Sequence, residues 1–343
     1  MEELRRITLG AGVEGWFLPS RRFRTAGMRV DIGRPLDAQT TAAALLQYVK
    51  RRGCRRTNTM RKIVMFLEDL YGASASVAVR KAGDLQILSA TMQFLSERWN
   101  PARRVLGRAV EFLARFTLHP HRVGGVLPPD VVERERRVLR NELASLRDDR
   151  IRYAVRRCVE EMFAGEPYAR HELGRLEEVE DPTPEGLTRL HEQMLCASPI
   201  TIYAWGDFDA DRMARRWQEA LRIARRRPEA VPAAAGGRAR GDVRELVERL
   251  HIEQSHVAMG FRLPLRWSLE EIAAAEAFHA VFGAFAHSRL FVHVRERLGL
   301  AYMVSSWLDT VKGFLCVVMG TLPETRARAV EEVLAQVRAI AQD

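Results

Sequence analysis

Met28-Arg-Val-Asp-Ile-Gly-Arg-Pro35 and His256-Val-Ala-Met-Gly-Phe-Arg-Leu-Pro264 are two apolar strand patterns, each closed by a proline. The same succession of elements comes after both. After the first, Asp37 stands where it can cap a helix through Ala42 to Lys50. Basic Lys50, Arg51 and Arg52 suit that helix's negative end, and Gly53 stops it. A second helix, Thr59 to Tyr71, carries Ile63, Phe66, Leu67 and Leu70 on one stripe, and two β-rich runs, 73–79 and 85–92, join at Lys81-Ala82-Gly83-Asp84. After the second come a helix at 269–282 ending near Gly283, another at 288–297, and strands at 301–308 and 314–320 joined through Lys312-Gly313. Four landmarks, at 35, 53, 71 and 83, recur at 264, 283, 302 and 313, in the same order. Four matching offsets indicate one unit written twice.

The break between the copies is Arg225 to Asp242, with two prolines, three glycines and no apolar periodicity. The expected organisation is an N-terminal domain at 1–224, a linker at 225–242 and a C-terminal domain at 243–343. The fold class is α+β: two tandem homologous units, each a mainly antiparallel sheet with helices packed on one face. The first unit continues through helices at 101–118, 129–146, 151–164 and 184–195, a strand at 200–205 and a helix at 209–224. In the second, 323–341 matches the helix at 101, and nothing corresponds to Thr117 through Asp207. The second unit therefore reads as truncated, which predicts an exposed apolar sheet face and poor solubility.

The composition is that of a folded globular protein: 343 residues, 47% hydrophobic and 29% charged. No apolar stretch is long enough to span a membrane and no secretory leader is evident, so a cytoplasmic location without membrane contact is expected. Cys54, Cys158, Cys196 and Cys316 form no C-x-x-C pair and read as reduced thiols. The net charge is +10, but the arginines alternate with glutamates, as in Glu133-Arg-Glu-Arg-Arg, without an aromatic platform. A solvated helix face accounts for that pattern better than a nucleic-acid surface.

Catalytic signatures are missing. His171-Glu172 and His191-Glu192 each lack a second histidine at the spacing a zinc helix needs, and His119 and His121 flank Pro120 in a loop. There is no nucleophile elbow, P-loop or dinucleotide fingerprint.

The stretch His287-Ser-Arg-Leu-Phe-Val-His-Val-Arg-Glu-Arg-Leu-Gly-Leu-Ala-Tyr-Met-Val304 resembles the insulinase/pitrilysin family of zinc metallopeptidases. Leu67-Glu-Asp-Leu-Tyr-Gly-Ala73 and Glu160-Glu-Met-Phe-Ala-Gly-Glu-Pro-Tyr-Ala169 point further, to an inactive-subunit branch associated with the 5-aminopentanol modification of elongation factor P. The resemblance implies tandem α+β units. Active members carry His-x-x-Glu-His on the first helix, and those roles fall here on Ala44, Gln47 and Tyr48. None of them can replace an imidazole or a carboxylate base. The family's third ligand sits at the end of Glu135-Arg-Arg-Val-Leu-Arg-Asn-Glu142, which is intact; Glu135 and Glu142, without imidazoles, read as a solvated or salt-bridged helix face. In paired members an arginine and a tyrosine seven residues apart on the non-catalytic subunit face the partner's zinc; here they are Arg295 and Tyr302.

The expectation is a chain with no catalytic residue, metal or cofactor of its own. It would be the substrate-recognising subunit in a heterodimer with an active His-x-x-Glu-His homologue, and would hold peptide through Arg295 and Tyr302. The alternative is a basic RNA- or ribosome-associated protein on a vestigial peptidase fold.

Overall fold

A computed structural model describes residues 3–99, 104–221, 226–230, 243–264 and 268–342. Most of the expected linker, 225 and 231–242, lies outside the described residues. In chain order the elements are β1 (Arg5–Gly10), β2 (Val13–Pro19), β3 (Thr25–Pro35), α1 (Thr40–Lys50), α2 (Met60–Asp69), β4 (Ser74–Ala82), β5 (Leu85–Leu95), α3 (Val105–Leu118), α4 (Pro129–Ser145), α5 (Arg150–Met162), α6 (Pro184–Ala197), β6 (Ile200–Gly206) and α7 (Ala210–Leu221). They continue with β7 (Ser255–Arg262), α8 (Leu269–His279), β8 (Ala301–Asp309), β9 (Phe314–Thr321) and α9 (Arg326–Ile340). The α+β class expected from sequence is the one observed.

By packing, the chain forms two units: residues 1–81, 85–143 and 172–232, and residues 82–84, 144–171 and 233–343. This division does not follow the chain linearly. The segment 144–171, which contains α5, packs with the C-terminal residues although it sits inside the N-terminal stretch of sequence.

Unit 1 is built on a six-stranded sheet of order β1-β2-β6-β3-β5-β4. β2 and β6 run parallel, whereas β3 is antiparallel to both β5 and β6. α1 and α3 pack on β5, and α7 packs on β1 and β2. β1 and β2 have no counterpart among the sequence expectations. β1 is an edge strand with a single buried residue, Leu9, so it shows no apolar alternation to read.

α1 enters through Asp37, whose carboxylate accepts from the Gln39 backbone N–H at 2.7 Å and is held by Arg34 at 2.8 Å. The N-cap residue itself is Gln39. Gly53 serves a different purpose from the helix stop expected: a Cβ there would lie 2.8 Å from the Asn58 carbonyl carbon, so a glycine is needed for the loop to fold back on itself.

Unit 2 is built on a three-stranded antiparallel sheet of order β7-β9-β8. β9 is buried along its whole length because both its faces are covered. Leu315, Val317 and Met319 point to a core completed by Phe282, Leu290, Val294, Ala329 and Val333. On the opposite face, Phe314 and Cys316 meet Val159, Phe163 and Tyr168, from α5 and the turn after it. A fully buried side chain of this size contributes about 1.5–3 kcal/mol, so these two cores hold a sheet that three strands alone would not. The exposed apolar face expected for the second sheet is therefore absent at β9.

Lys312 is completely buried in unit 2. It is paired with Asp84 at 2.8 Å and Glu166 at 3.0 Å, and lies over the Phe163 and Tyr168 rings. Among the described residues no helix is long and apolar enough to cross a membrane.

Candidate functional site

The helix that would carry a metal site is α1, and the structure gives each relevant position another task. Ala44 is fully buried and has no donor atom to offer. Gln47 turns toward the sheet, where its side-chain amide donates to the Ser89 carbonyl oxygen at 3.0 Å. The Tyr48 hydroxyl donates to a carboxylate oxygen of Glu142 on α4, so two positions 94 residues apart come together as the resemblance implies. Burial, reinforced by the Glu142 carboxylate, pushes the Tyr48 phenol well above its ordinary pKa, so it remains protonated and keeps donating.

Of the two expectations for Glu135, solvated or salt-bridged, the structure shows the salt-bridged one, with none of its surface reaching solvent. Its carboxylate is held on both oxygens. Arg51 donates to Oε2 through Nε at 3.2 Å and Nη2 at 2.9 Å, and Arg52 donates to Oε1 at 2.6 Å. Arg51 also lies over the Tyr48 ring, 4.4 Å from its centroid. The basic cluster that the sequence presents as a match to the helix dipole thus has a second role, as counter-charge to a buried carboxylate. Sequence spacing gives no sign of it.

These residues do not fit a hydrolytic zinc. Such a site needs three donors and an open position, usually with imidazole among the donors. Here one position is a methyl group, one amide is committed to the backbone, Glu135 is paired with two guanidinium groups, and Glu142 accepts from the Tyr48 phenol. Among the described residues no group of three or more His, Cys, Asp or Glu side chains is arranged to hold a metal ion.

Arg295 and Tyr302 lie in unit 2. Arg295 is in a π-helical turn, Phe291–Arg297, a form of backbone common at functional positions. Its guanidinium is 42% exposed, rests over the Phe291 ring at 4.5 Å, and lies 3.6 Å from Glu296. Tyr302 is the extra residue of a β-bulge: Ala301 pairs with Thr321 and Met303 with Gly320, leaving Tyr302 between them. The bulge turns its ring outward to 48% exposure and lays it on Gly320, where a Cβ would stand 2.2 Å from the ring. Both side chains therefore reach solvent from structured backbone. A guanidinium fork and a phenol presented in this way are suited to gripping a carbonyl or carboxylate.

Residues 182–343, which include Arg295 and Tyr302, match the family model described as "Peptidase M16 inactive domain". A relative from Bacillus subtilis (strain 168), "Probable inactive metalloprotease YmfF", is 25% identical over 331 residues, spanning 96% of this chain and 78% of the relative. The chain is thus similar to proteins described as inactive M16 peptidases. The crystal structure of a conserved protein from Enterococcus faecalis V583 superposes with TM-score 0.88 at 24% identity, covering 98% of this chain and 80% of that one. A peptidase M16 inactive domain from Pseudomonas fluorescens superposes with TM-score 0.79 at 16% identity, covering 99% of this chain and 80% of that one. These two likenesses concern the fold. The M16-like assignment bears out the family to which the 287–304 stretch points.

Proposed function

We propose that this M16-like chain is the non-catalytic, substrate-recognising subunit of a two-chain zinc peptidase. Its partner is a homologue that keeps His-x-x-Glu-His, and the assembly works in the cytoplasm on a peptide substrate. The observation that supports the reading is a contrast within one molecule. The positions that would serve a metal are closed by internal bonds from Tyr48, Gln47, Arg51 and Arg52, while Arg295 and Tyr302 remain presented to solvent. A chain with this contrast can bind a peptide but cannot activate water.

In this reading Arg295 and Tyr302 donate to a substrate carbonyl on the side opposite the partner's metal-bound water. Lost transition-state donors of this kind typically lower turnover by tenfold or more. Co-expression with a His-x-x-Glu-His homologue provides the test. Arg295→Ala should lower peptide cleavage by at least about tenfold and leave the complex intact; unchanged turnover would remove the assigned role.

We further propose that the substrate or bound product of the pair is connected with the modification of elongation factor P, as the resemblance at 67–73 and 160–169 suggests. The RNA- or ribosome-associated alternative is separated from the peptidase reading by salt. Affinity for RNA that falls steeply with ionic strength would favour the former, and a complex with the homologue that survives high salt would favour the latter.

A further inference from the structure

Unit 1 contains a cavity of about 510 Å³, within the usual range for small-molecule sites, whose lining includes none of Tyr48, Glu135 and Glu142. Three segments line it. Arg55 and Arg56 come from the loop after α1, Arg115 and His119 from the end of α3, and Arg216 from α7. The loop is not free to drift: the Arg55 backbone N–H donates to the His119 carbonyl oxygen at 3.0 Å, and Cys54 bridges to Pro120.

Four guanidinium groups face one space against two carboxylates, Glu111 and Glu219. Among the described residues only Glu111 is drawn toward an arginine of the cavity, at 3.4 Å from Arg115. The Nε atoms of Arg115 and Arg216 are buried and have no hydrogen-bond partner among the described residues. An unsatisfied buried donor costs about 1–3 kcal/mol, more when charged, and two such donors beside one cavity call for an acceptor that enters from outside. Gly107 supplies the room, because a Cβ there would stand 2.5 Å from an Nη of Arg216. Burial, with the facing Arg55 next in effect, holds the His119 imidazole below its ordinary pKa, as a site with positive potential should.

We infer that this cavity binds a small soluble phosphorylated anion carrying at least two negative charges. Guanidinium forks match phosphoryl oxygens two at a time, and the excess of cations over carboxylates needs more than a single charge for balance. Glu111 and Glu219 then accept from hydroxyl or amino groups on the same ligand, which favours an organic phosphate over a bare ion.

The test is calorimetric titration of the whole chain with inorganic pyrophosphate, ATP and citrate at physiological salt. One saturable site per chain is expected for pyrophosphate and ATP, with citrate at least about tenfold weaker because its carboxylates are spaced differently from phosphoryl oxygens. Arg115→Gln and Arg216→Gln should each weaken pyrophosphate binding at least about tenfold. Arg61→Gln, on the exposed side of α2, should leave it unchanged. Arg216→Lys keeps the charge and loses the fork, and serves if the glutamine variants do not fold; binding should again fall severalfold. No saturation by about 10 mM of either pyrophosphate or ATP, or equal losses from Arg61→Gln and the cavity variants, would overturn the assignment.

Discussion

Removing Arg52 tests the central feature of the closed site. Glu135 has no exposed surface, and its Oε1 has Arg52 as its donor at 2.6 Å, whereas Arg51 serves Oε2. Arg52→Ala leaves one oxygen of an ionised carboxylate without a donor where water does not reach. Breaking a buried pair from one side costs about 3–5 kcal/mol. Because Arg51 still compensates the other oxygen, the lower end applies, about 3 kcal/mol. Urea unfolding followed by tryptophan fluorescence, to which Trp16, Trp99, Trp205 and Trp217 of unit 1 contribute, reads the loss. With a slope of about 3 kcal/mol per molar, the midpoint should fall by about 1 M. Adding Glu135→Gln to Arg52→Ala removes the charge that was stranded, so the double variant should recover at least about 1.5 kcal/mol relative to simple addition of the two effects. A loss below about 0.5 kcal/mol for Arg52→Ala, or strict additivity, would mean that Glu135 is hydrated and does not depend on arginine for its counter-charge.

Two other buried groups make stability depend on pH. Burial lowers the His191 pKa to about 3, and its Nε2 lies 3.1 Å from the Leu118 carbonyl oxygen. The neutral form is the one the fold accepts, so stability is fully present above the unfolded value of 6.5 and is lost as pH falls through 6.5 toward 3. The expected loss is about 2 kcal/mol between about pH 6.5 and 5, and His191→Asn should flatten that slope in acid denaturation curves. Lys50, in the last turn of α1, is buried and its pKa is lowered to about 7. The unfolded chain binds its proton up to about pH 10.5, so at about pH 7.5 the lysine destabilises the fold by as much as about 4 kcal/mol. Lys50→Met should raise the unfolding midpoint at about pH 7.5, with the advantage shrinking as pH rises toward about 10.5; an equal advantage at both pH values would show that packing, not charge, is responsible.

How far the sequence could be read depended on the range of the interaction concerned. Local signals worked: the stripe Ile63, Phe66, Leu67 and Leu70 became α2, and the Gly83-Asp84 turn joins β4 to β5. The side-chain alternation of β9 is equally local, yet its meaning is not. A run buried on both faces requires two covering layers, and one of them, α5, comes from more than 150 residues earlier in the chain. The amphipathic pattern of α5 tells that one face is buried but not what it meets. At the candidate site, the positions of Ala44, Gln47 and Tyr48 were legible because the motif spacing is local to one helix. The Glu135–Arg51–Arg52 cluster was not, since its members come from two segments more than 80 residues apart. The arginine cavity was hidden for the same reason: Arg55, Arg115 and Arg216 are ordinary residues in three separate segments and become a site only when folded together.

Loss of metal chemistry in this fold is therefore more than the loss of two imidazoles. A buried carboxylate needs a compensating charge whether or not a metal supplies it. Here Arg51 and Arg52 supply it to buried Glu135, while exposed Glu142 accepts from the Tyr48 phenol. The Tyr48 phenol, held well above its ordinary pKa by burial, stays protonated and donates to Glu142 throughout the physiological range. Placing histidines at 44 and 48 would restore donors but not the site. Tyr48→His would release Glu142, whereas Glu135 would keep its two guanidinium partners and their positive charge beside the incoming cation, and Gln47 would still offer no base. The closed arrangement is a stable alternative to a metal centre, because the positive charge that Glu135 requires is already supplied by Arg51 and Arg52.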